Sequence, residues 1–423
     1  MNHTIDSTTL PSILPPPPLF GGSDLGDLVV MDLAVIMFVA AIMMAITYKL
    51  KQPMVIGYIL AGMIIGPYTL PFSLVSSVET INLMAELGII MLLFGVGLEF
   101  PIAKLRSIGR VSLIVALCEA LGTLMIVFFT AQTLSFSFFD SMFLALALSI
   151  TSTVVTVRVF EELNLIKDRS SLLVLGITIV EDILAITILA VLQSVAAAGE
   201  NLSIVGITIS ISIVAAFIGS ILIVGSRFMP KIIDKASKTN DYALLLIVIL
   251  GMAFGLSFIA SGFGLSVATG AFLAGVLVAE SNSAAIARII TTPLRDMFAA
   301  IFFISIGALM DISLIPMFIV PAVILILTSF GSKFLIVTGI LLKANFDSVT
   351  SVRTGLGVSA AKGELSLVVV KGGQDVGAIT SSLLPILGIV TIVTTFLAPF
   401  IIRFGARLNL SSQAQDPAST QDQ

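Results

Sequence analysis

An all-α polytopic membrane protein is the fold class this sequence predicts, and three observations carry the prediction. Of its 423 residues, 57% are hydrophobic and only 11% charged. The apolar residues gather into runs long enough to cross a bilayer, separated by short polar breaks. Some of the charges inside those runs, Glu181 and Asp182 first among them, sit near the bilayer midplane, where a charged side chain costs roughly 2.5 to 3.5 kcal/mol on insertion scales.

The elements follow in order. Residues 1–27 contain Pro15 to Pro18 and Gly21-Gly22 but no Lys or Arg, so they lack the basic region of a signal peptide and read as a flexible extracytoplasmic tail. Apolar runs near 28–48, 53–70, 83–99, 110–132, 139–163, 170–195, 202–226, 241–260, 264–280, 294–311, 315–342, 350–371 and 378–402 predict thirteen transmembrane helices. Gly62 and Gly66 form a small-xxx-small step suited to close helix packing. Residues 411–423, rich in Gln, Ser and Asp, read as a disordered cytoplasmic tail after a transmembrane domain of 28–410.

With the N-terminus outside, the inner loops and C-terminal tail hold eighteen of the twenty-one Lys and Arg residues. Lys371 falls in an outer loop, and Lys333 and Lys362 fall inside spans. The positive-inside rule therefore places the N-terminus outside and the C-terminus in the cytoplasm of a cell (plasma) membrane protein. An odd count allows two inverted six-helix repeats, about 28–195 and 241–403, joined by a connector helix at 202–226, which is a transporter architecture.

Glu181 and Asp182 stand twelve and thirteen residues from Arg169, so Glu181 lies ~18 Å into its span, near the midplane. By the same measure Lys333 is ~15 Å from Lys343 and Glu364 is ~16 Å from Arg353. The fifth span holds Ser149, Thr151, Ser152, Thr153 and Thr156, and the twelfth holds Gly355, Gly357 and Gly363 around Lys362 and Glu364. Both read as places where a helix breaks, and weakened helices at matching positions of two halves point to a substrate site. Freed carbonyls there must face a cavity, since lipid offers them no partner.

A dehydrated monovalent cation needs hard oxygen ligands, which Asp182, Thr151 or Ser152, carbonyls and water can supply. The same carboxylate can hold H⁺ instead, and that competition alone yields exchange. Adjacent helix residues project about 100° apart, so Glu181 and Asp182 cannot share a target. Asp182 is assigned to the cation and Glu181 to Lys333. The plainer alternative for Glu181 and Lys333 is an ion pair that only fixes packing. For Thr151, Ser152 and Thr153 it is bonding back to their own helix. Lys362 and Glu364 can satisfy each other and the broken helix ends. Glu119, at the repeat position of Lys333, is either an accessory cavity residue or a packed acid.

Other functions are less compatible. Cys118 is the only cysteine and His3 the only histidine, so an intrachain disulfide and a Cys/His metal site are excluded. No GxxxxGK[ST] segment accompanies the spans, no cofactor is implied, and nucleic acid is not an expected partner. An intramembrane aspartyl enzyme needs two carboxyls converging on one water, which neighbouring helix positions do not provide. A channel-like potassium efflux pore remains an alternative to exchange.

Four segments carry a resemblance: "QPMVIGYILAGMIIGP" (52–67), "IMLLFGVGLEF" (90–100), "GLSVATGAFLAGVLVAES" (264–281) and "FFISIGALMDI" (302–312). Together they resemble the second family of monovalent cation:proton antiporters, which includes NapA-type Na⁺/H⁺ antiporters and the transmembrane domain of Kef potassium efflux systems. The resemblance runs from about Asp32 to Arg407. It implies an NhaA/NapA-like fold, a homodimer with a dimerisation domain and a mobile core, crossed broken helices, elevator-type alternating access and a part in pH homeostasis. "SITSTVVTVRVF" (149–160) resembles the first broken helix and carries Thr151 over as a cation-site residue. "GITIVEDILAI" (176–186) resembles the carboxylate helix, with Asp182 as the ion-binding aspartate and Lys333 as the lysine paired with the preceding acid. Glu181 departs from the pattern, which has Asp in NapA-type and Gln in Kef-type proteins. The expected exchange is of H⁺ for Na⁺, Li⁺ or K⁺, with transient cation ligation by Asp182 and Thr151.

Overall fold

In the computed structural model, residues 25–50, 52–69, 74–75, 77–99, 109–165, 168–197, 204–239, 241–263, 265–380 and 383–413 are described. Most of both expected tails, at 1–24 and 414–423, lies outside these residues, as do Lys51, Lys104, Arg106 and Lys167. The described residues are all-helical, without strands. Ten helical stretches among them are long and apolar enough to cross a membrane. With this hydropathy pattern, the protein is an integral membrane protein.

The helices, in chain order, are α1 (Leu25–Lys49), α2 (Met54–Ile65), α3 (Val78–Leu98), α4 (Arg110–Thr133), α5 (Phe138–Ser149), α6 (Thr153–Glu162), α7 (Arg169–Ala197) and α8 (Ile204–Ser220). A π-helical turn, Ile221–Gly225, joins α8 to α9 (Ser226–Ser237). Then come α10 (Tyr242–Gly262), α11 (Val267–Ala279), α12 (Ala284–Ala308), α13 (Ile315–Lys343), α14 (Ser348–Ser359), α15 (Glu364–Asp375) and α16 (Leu383–Gln413). Side-chain caps open several of them: Ser137 accepts from the Asp140 amide at 3.1 Å at α5, and Asp347 from the Thr350 amide at 2.8 Å at α14.

Several sequence boundaries move. The run at 294–311 belongs to a helix that begins at Ala284, because the preceding turns are amphipathic and hydropathy alone reads them as loop. Lys371 is not in an outer loop: α15 continues to Asp375, and Lys371 is buried, donating to Asp375 at 2.5 Å and to Asn82 of α3 at 3.1 Å. The last helix runs through residues 411–413, where a disordered tail was expected to begin.

Contacts divide the helices into two bundles. One packs α1, α2, α3, α10, α11 and α12, with α9 beside α10 and α11; the other packs α4 to α7 with α13 to α16. The bundles meet where α2 packs against α16, and α8 packs against α7 of the second bundle. Backbone contact holds the first bundle: at Gly97 of α3 and Gly275 of α11 a side chain would strike the facing helix backbone, and an added Cβ on Gly275 would lie 2.9 Å from the Gly97 Cα. Gly62 and Gly66 play the same part on α2, against α12 and its carboxyl end at Ala308.

The second bundle has a polar centre where two interrupted helices cross. Between α5 and α6 the backbone extends through Ile150 to Ser152, and Ser152 caps α6. Between α14 and α15 it opens at 360–363, with Gly363 extended at φ −118° and ψ −164°. Gly363 lies so close to Ser152 that a Cβ there would sit 2.7 Å from the Ser152 Cβ and Oγ. Only glycine lets the two chains approach that closely.

Candidate functional site

The two breaks exchange bonds across a local pseudo-twofold relation. The Ser152 amide donates to the Ala361 carbonyl at 2.9 Å. The Thr151 hydroxyl donates to the Val358 carbonyl at 2.6 Å, and the Lys362 ammonium donates to the Leu148 carbonyl at 2.6 Å. Each break thus caps the carboxyl end of the other half's helix, where unpaired carbonyls carry the negative end of the helix dipole. The freed amides are satisfied in parallel: Thr151 N–H donates to Glu181 Oε2 at 2.9 Å, and Lys362 N–H to Thr394 Oγ1 at 3.1 Å. The Lys362 carbonyl accepts from the Thr395 hydroxyl at 2.9 Å.

Lys333 of α13 occupies the centre. Its Nζ lies 3.2 Å from Glu181 Oε1 and 3.1 Å from Glu119 Oε1, and donates to Thr151 Oγ1 at 2.8 Å. Glu119 and Lys333 are wholly inaccessible and Glu181 is 1% exposed. Thr123 donates to Glu119 Oε1 at 3.0 Å, and Ser332 to Thr123 Oγ1 at 3.3 Å, so hydroxyls complete the shell. Glu119 therefore joins Lys333 directly. Its sequence signal was the matching position in the first repeat, which says nothing about which residues face each other.

Asp182 faces another way, as the 100° between neighbours on a helix requires. The Thr153 hydroxyl donates to its Oδ2 at 3.3 Å, and no ion pair among the described residues engages it. Asp182 keeps 8% of its surface exposed. Beside Thr153, a cavity of about 380 Å³ opens between α2 on one bundle and α6, α15 and α16 on the other; its lining includes Val154, Val155, Glu364, Arg158, Glu162 and Arg403.

Sequence reasoning chose Thr151 and Ser152 to share a cation with Asp182. Here the hydroxyl of Thr151 is spent on Val358 and Lys333, and Ser152 Oγ accepts from the Val155 amide at 3.5 Å. Thr153, two residues beyond Thr151, is the hydroxyl that reaches Asp182. The extended backbone at the break rotates the start of α6, and residue spacing does not encode that rotation. Lys362 and Glu364 do not pair: the lysine turns to Leu148 and the glutamate lines the cavity. The oxygens of Asp182 and Thr153 are hard donors; among the described residues, no group of three His, Cys, Asp or Glu side chains is placed to hold a metal ion.

Residues 34–407 match the family model described as sodium/hydrogen exchanger, transmembrane. The chain is 34% identical over 270 residues to YbaL of Escherichia coli, covering 62% of this chain but 48% of YbaL, so it spans about half the length of that relative. To the high-affinity Na⁺/H⁺ antiporter NhaS3 of Synechocystis it is 31% identical over 335 residues, covering 76% of this chain and 70% of NhaS3. The fold is shared with the sodium proton antiporter MjNhaP1 of Methanocaldococcus jannaschii at a TM-score of 0.68, with 16% identity, over 91% of this chain and 97% of that one.

Proposed function

Since the chain belongs to the sodium/hydrogen exchanger family of cation/proton antiporters, we propose that it exchanges H⁺ for Na⁺, with Li⁺ and K⁺ as competing substrates, and that Asp182 binds cation and proton in turn. The observation that carries this reading is the division of labour between two neighbouring acids. Glu181 is consumed by Lys333 and the Thr151 amide, whereas Asp182, though buried, has one hydroxyl partner and no ion pair among the described residues. An acid without a counterion at the centre of a membrane bundle is costly unless it performs binding. The Thr153 hydroxyl, its donor in this state, turns to offer a lone pair when Asp182 holds a cation.

Alternating access follows from the division into bundles. α1 to α3 with α8 to α12 form the scaffold and the dimer surface; α4 to α7 with α13 to α16 form the moving core. Taking α5 with α6, α8 with α9, and α14 with α15 as one crossing each gives thirteen crossings, which supports two inverted six-helix repeats about a connector. The cavity between the bundles shares its face with Lys49, Arg158 and Arg403, the basic ends that the positive-inside rule puts in the cytoplasm. On this reading the cavity is the start of an inward-facing route. On the far face, the bond from Lys371 of the core to Asn82 of the scaffold closes the seam.

Reconstituted into liposomes with a trapped pH dye, the protein should move protons on addition of Na⁺, and Asp182→Asn should reduce the response to that of empty vesicles. Proton movement that persists in Asp182→Asn would overturn the assignment. Current carried by Na⁺ or K⁺ without countermoving protons would replace the antiporter with a channel.

A further inference from the structure

α9 carries four cations that neither the two breaks nor Asp182 use. Its helix starts far away: Ser226 stands twenty-two residues beyond Ile204, through α8 and the π-helical turn, or ~33 Å at 1.5 Å per residue, whereas the hydrocarbon core is ~30 Å thick. α9 therefore begins where the hydrocarbon ends and runs through the headgroup layer. Arg227, Lys231, Lys235 and Lys238 are all exposed, and at 3.6 residues per turn they fall within about 80° of arc. The buried residues Ile233 and Ala236 lie on the opposite side, and α9 packs against α10 and α11. Phe228 and Ile232, both exposed, stand on one flank of the basic stripe, where apolar side chains can enter the acyl boundary.

Three acids stand near the stripe. Asp234, at its edge, turns to the start of α12: Asn282 donates to its Oδ2 at 2.8 Å, and the Ser283 amide and hydroxyl to its Oδ1 at 3.1 and 3.0 Å. Asp241 accepts from the Ala243 and Leu244 amides at 2.9 and 3.2 Å, and Glu280 closes α11. No ion pair among the described residues includes any of the four cations. Arginines elsewhere on this face are spent differently: Arg158 and Arg403 share Glu162, Arg295 holds Glu99 and Asp296, and Arg353 holds Asp168. The positive-inside rule counts charges and does not require that they line up. Lys235 and Lys238 also suit a helix carboxyl end, but Arg227 and Lys231 come too early for that use.

We propose that α9 binds the anionic headgroups of membrane phospholipids through Arg227, Lys231, Lys235 and Lys238, in the leaflet from which it emerges. Under the orientation given above, that leaflet is the cytoplasmic one. Aligned cations at headgroup depth attract anionic lipid strongly, each adding roughly fivefold to the affinity for such a surface. The bonds from Asp234 to Asn282 and Ser283 tie α9 to the turn between α11 and α12, so the lipids are held by the scaffold bundle and not by the core. Neither the antiport reading nor Asp182 enters this inference.

The chain has no tryptophan, so Phe228→Trp places a single emitter beside the stripe. In proteoliposomes of mixed phosphatidylcholine and phosphatidylglycerol, with one or the other carrying brominated acyl chains that quench on contact, the emission reports which lipid sits there. Phosphatidylglycerol should be preferred at least ~3-fold, and the preference should fall as choline chloride is raised, since salt screens exposed charges. Changing Arg227, Lys231, Lys235 and Lys238 together to Gln should bring the preference to about one. The same change at Lys49, Arg110, Lys343 and Arg407, exposed cations on α1, α4, α13 and α16, should leave it intact. Equal quenching by the two brominated lipids with the stripe unaltered would overturn the proposal. So would a preference that survives neutralisation of the stripe, or one lost equally in the control set. The salt series needs only the Phe228→Trp protein, so the test stands even where the fourfold variant does not fold, and a preference indifferent to salt there counts against the proposal.

Discussion

The two broken helices share one geometry and differ in chemistry. At the first, between α5 and α6, the free amide is held by Glu181, an acid shared with Lys333, and the next acid in sequence accepts from the Thr153 hydroxyl at the start of α6. At the second, between α14 and α15, the amide is held by the Thr394 hydroxyl, and the break supplies a lysine, Lys362, to the opposite helix end. The same fold problem, unpaired backbone in lipid, is thus solved once with a group that can change its charge and once with groups that do not need to. On the proposed function, the first break is where a proton and a cation compete, and the second is a frame for it.

The largest expected effect is at the first break. Asp182→Asn should abolish exchange while leaving a folded protein, because its carboxylate has no ion-pair partner to lose; a melting temperature near that of the wild type checks this. Next come the central pair. Lys333→Met or Glu181→Ala strands a buried charge, and breaking one partner of such a pair costs roughly 3 to 5 kcal/mol. A lower melting temperature should therefore accompany any change in transport. If instead both variants melt with the wild type, the pair does not organise the crossing.

Gly363→Ala tests the approach of the two breaks directly. The new methyl would overlap Ser152, and overpacking of this kind costs typically 1 to 3 kcal/mol, so melting temperature and exchange rate should both fall. Thr394→Val should cost roughly 1 to 3 kcal/mol by leaving the buried Lys362 amide unpaired. It should be milder than Glu181→Ala, and equal losses would erase the distinction between the breaks.

The smallest effect concerns how each broken helix starts. Ser137 caps the first and Asp347 the second, and loss of either cap costs about 1 kcal/mol at neutral pH. Bonds from Thr350, its backbone amide first, hold the Asp347 carboxyl below the usual carboxylate range. A depressed folded-state pKa contributes stability above the unfolded value of about 3.9, and that contribution disappears as pH falls through the folded value. The difference in melting temperature between wild type and Asp347→Ala should therefore narrow in acid, while that for Ser137→Ala should not.

Much of this was legible in the sequence because depth along a helix is linear in residue number. Glu181, Asp182 and Lys333 were placed together by counting from the nearest basic residues, and the hydroxyl-rich and glycine-rich stretches marked both interruptions. Rotation was not legible. Thr151 was expected at Asp182, but Thr153 reaches it, since extended residues at the break reset the helical phase. Glu119 could not be paired by pattern, because its contact with Lys333 depends on how α4 and α13 pack. The start of α12 was missed for another reason: with Arg288 on its exposed side, its first turns are amphipathic, and a hydropathy window reads them as loop.

Everything turns on one carboxylate that holds a cation or a proton but never both. Calorimetric titration of the purified protein with Na⁺ in buffers of different ionisation enthalpy, at several pH values, counts the protons released per ion bound. One proton should leave for each Na⁺ at low pH, half-saturating Na⁺ should rise about tenfold per unit of pH below the titration of the site, and Asp182→Asn should show no binding. Na⁺ binding that releases no proton at any pH, or that survives in Asp182→Asn, would contradict the account.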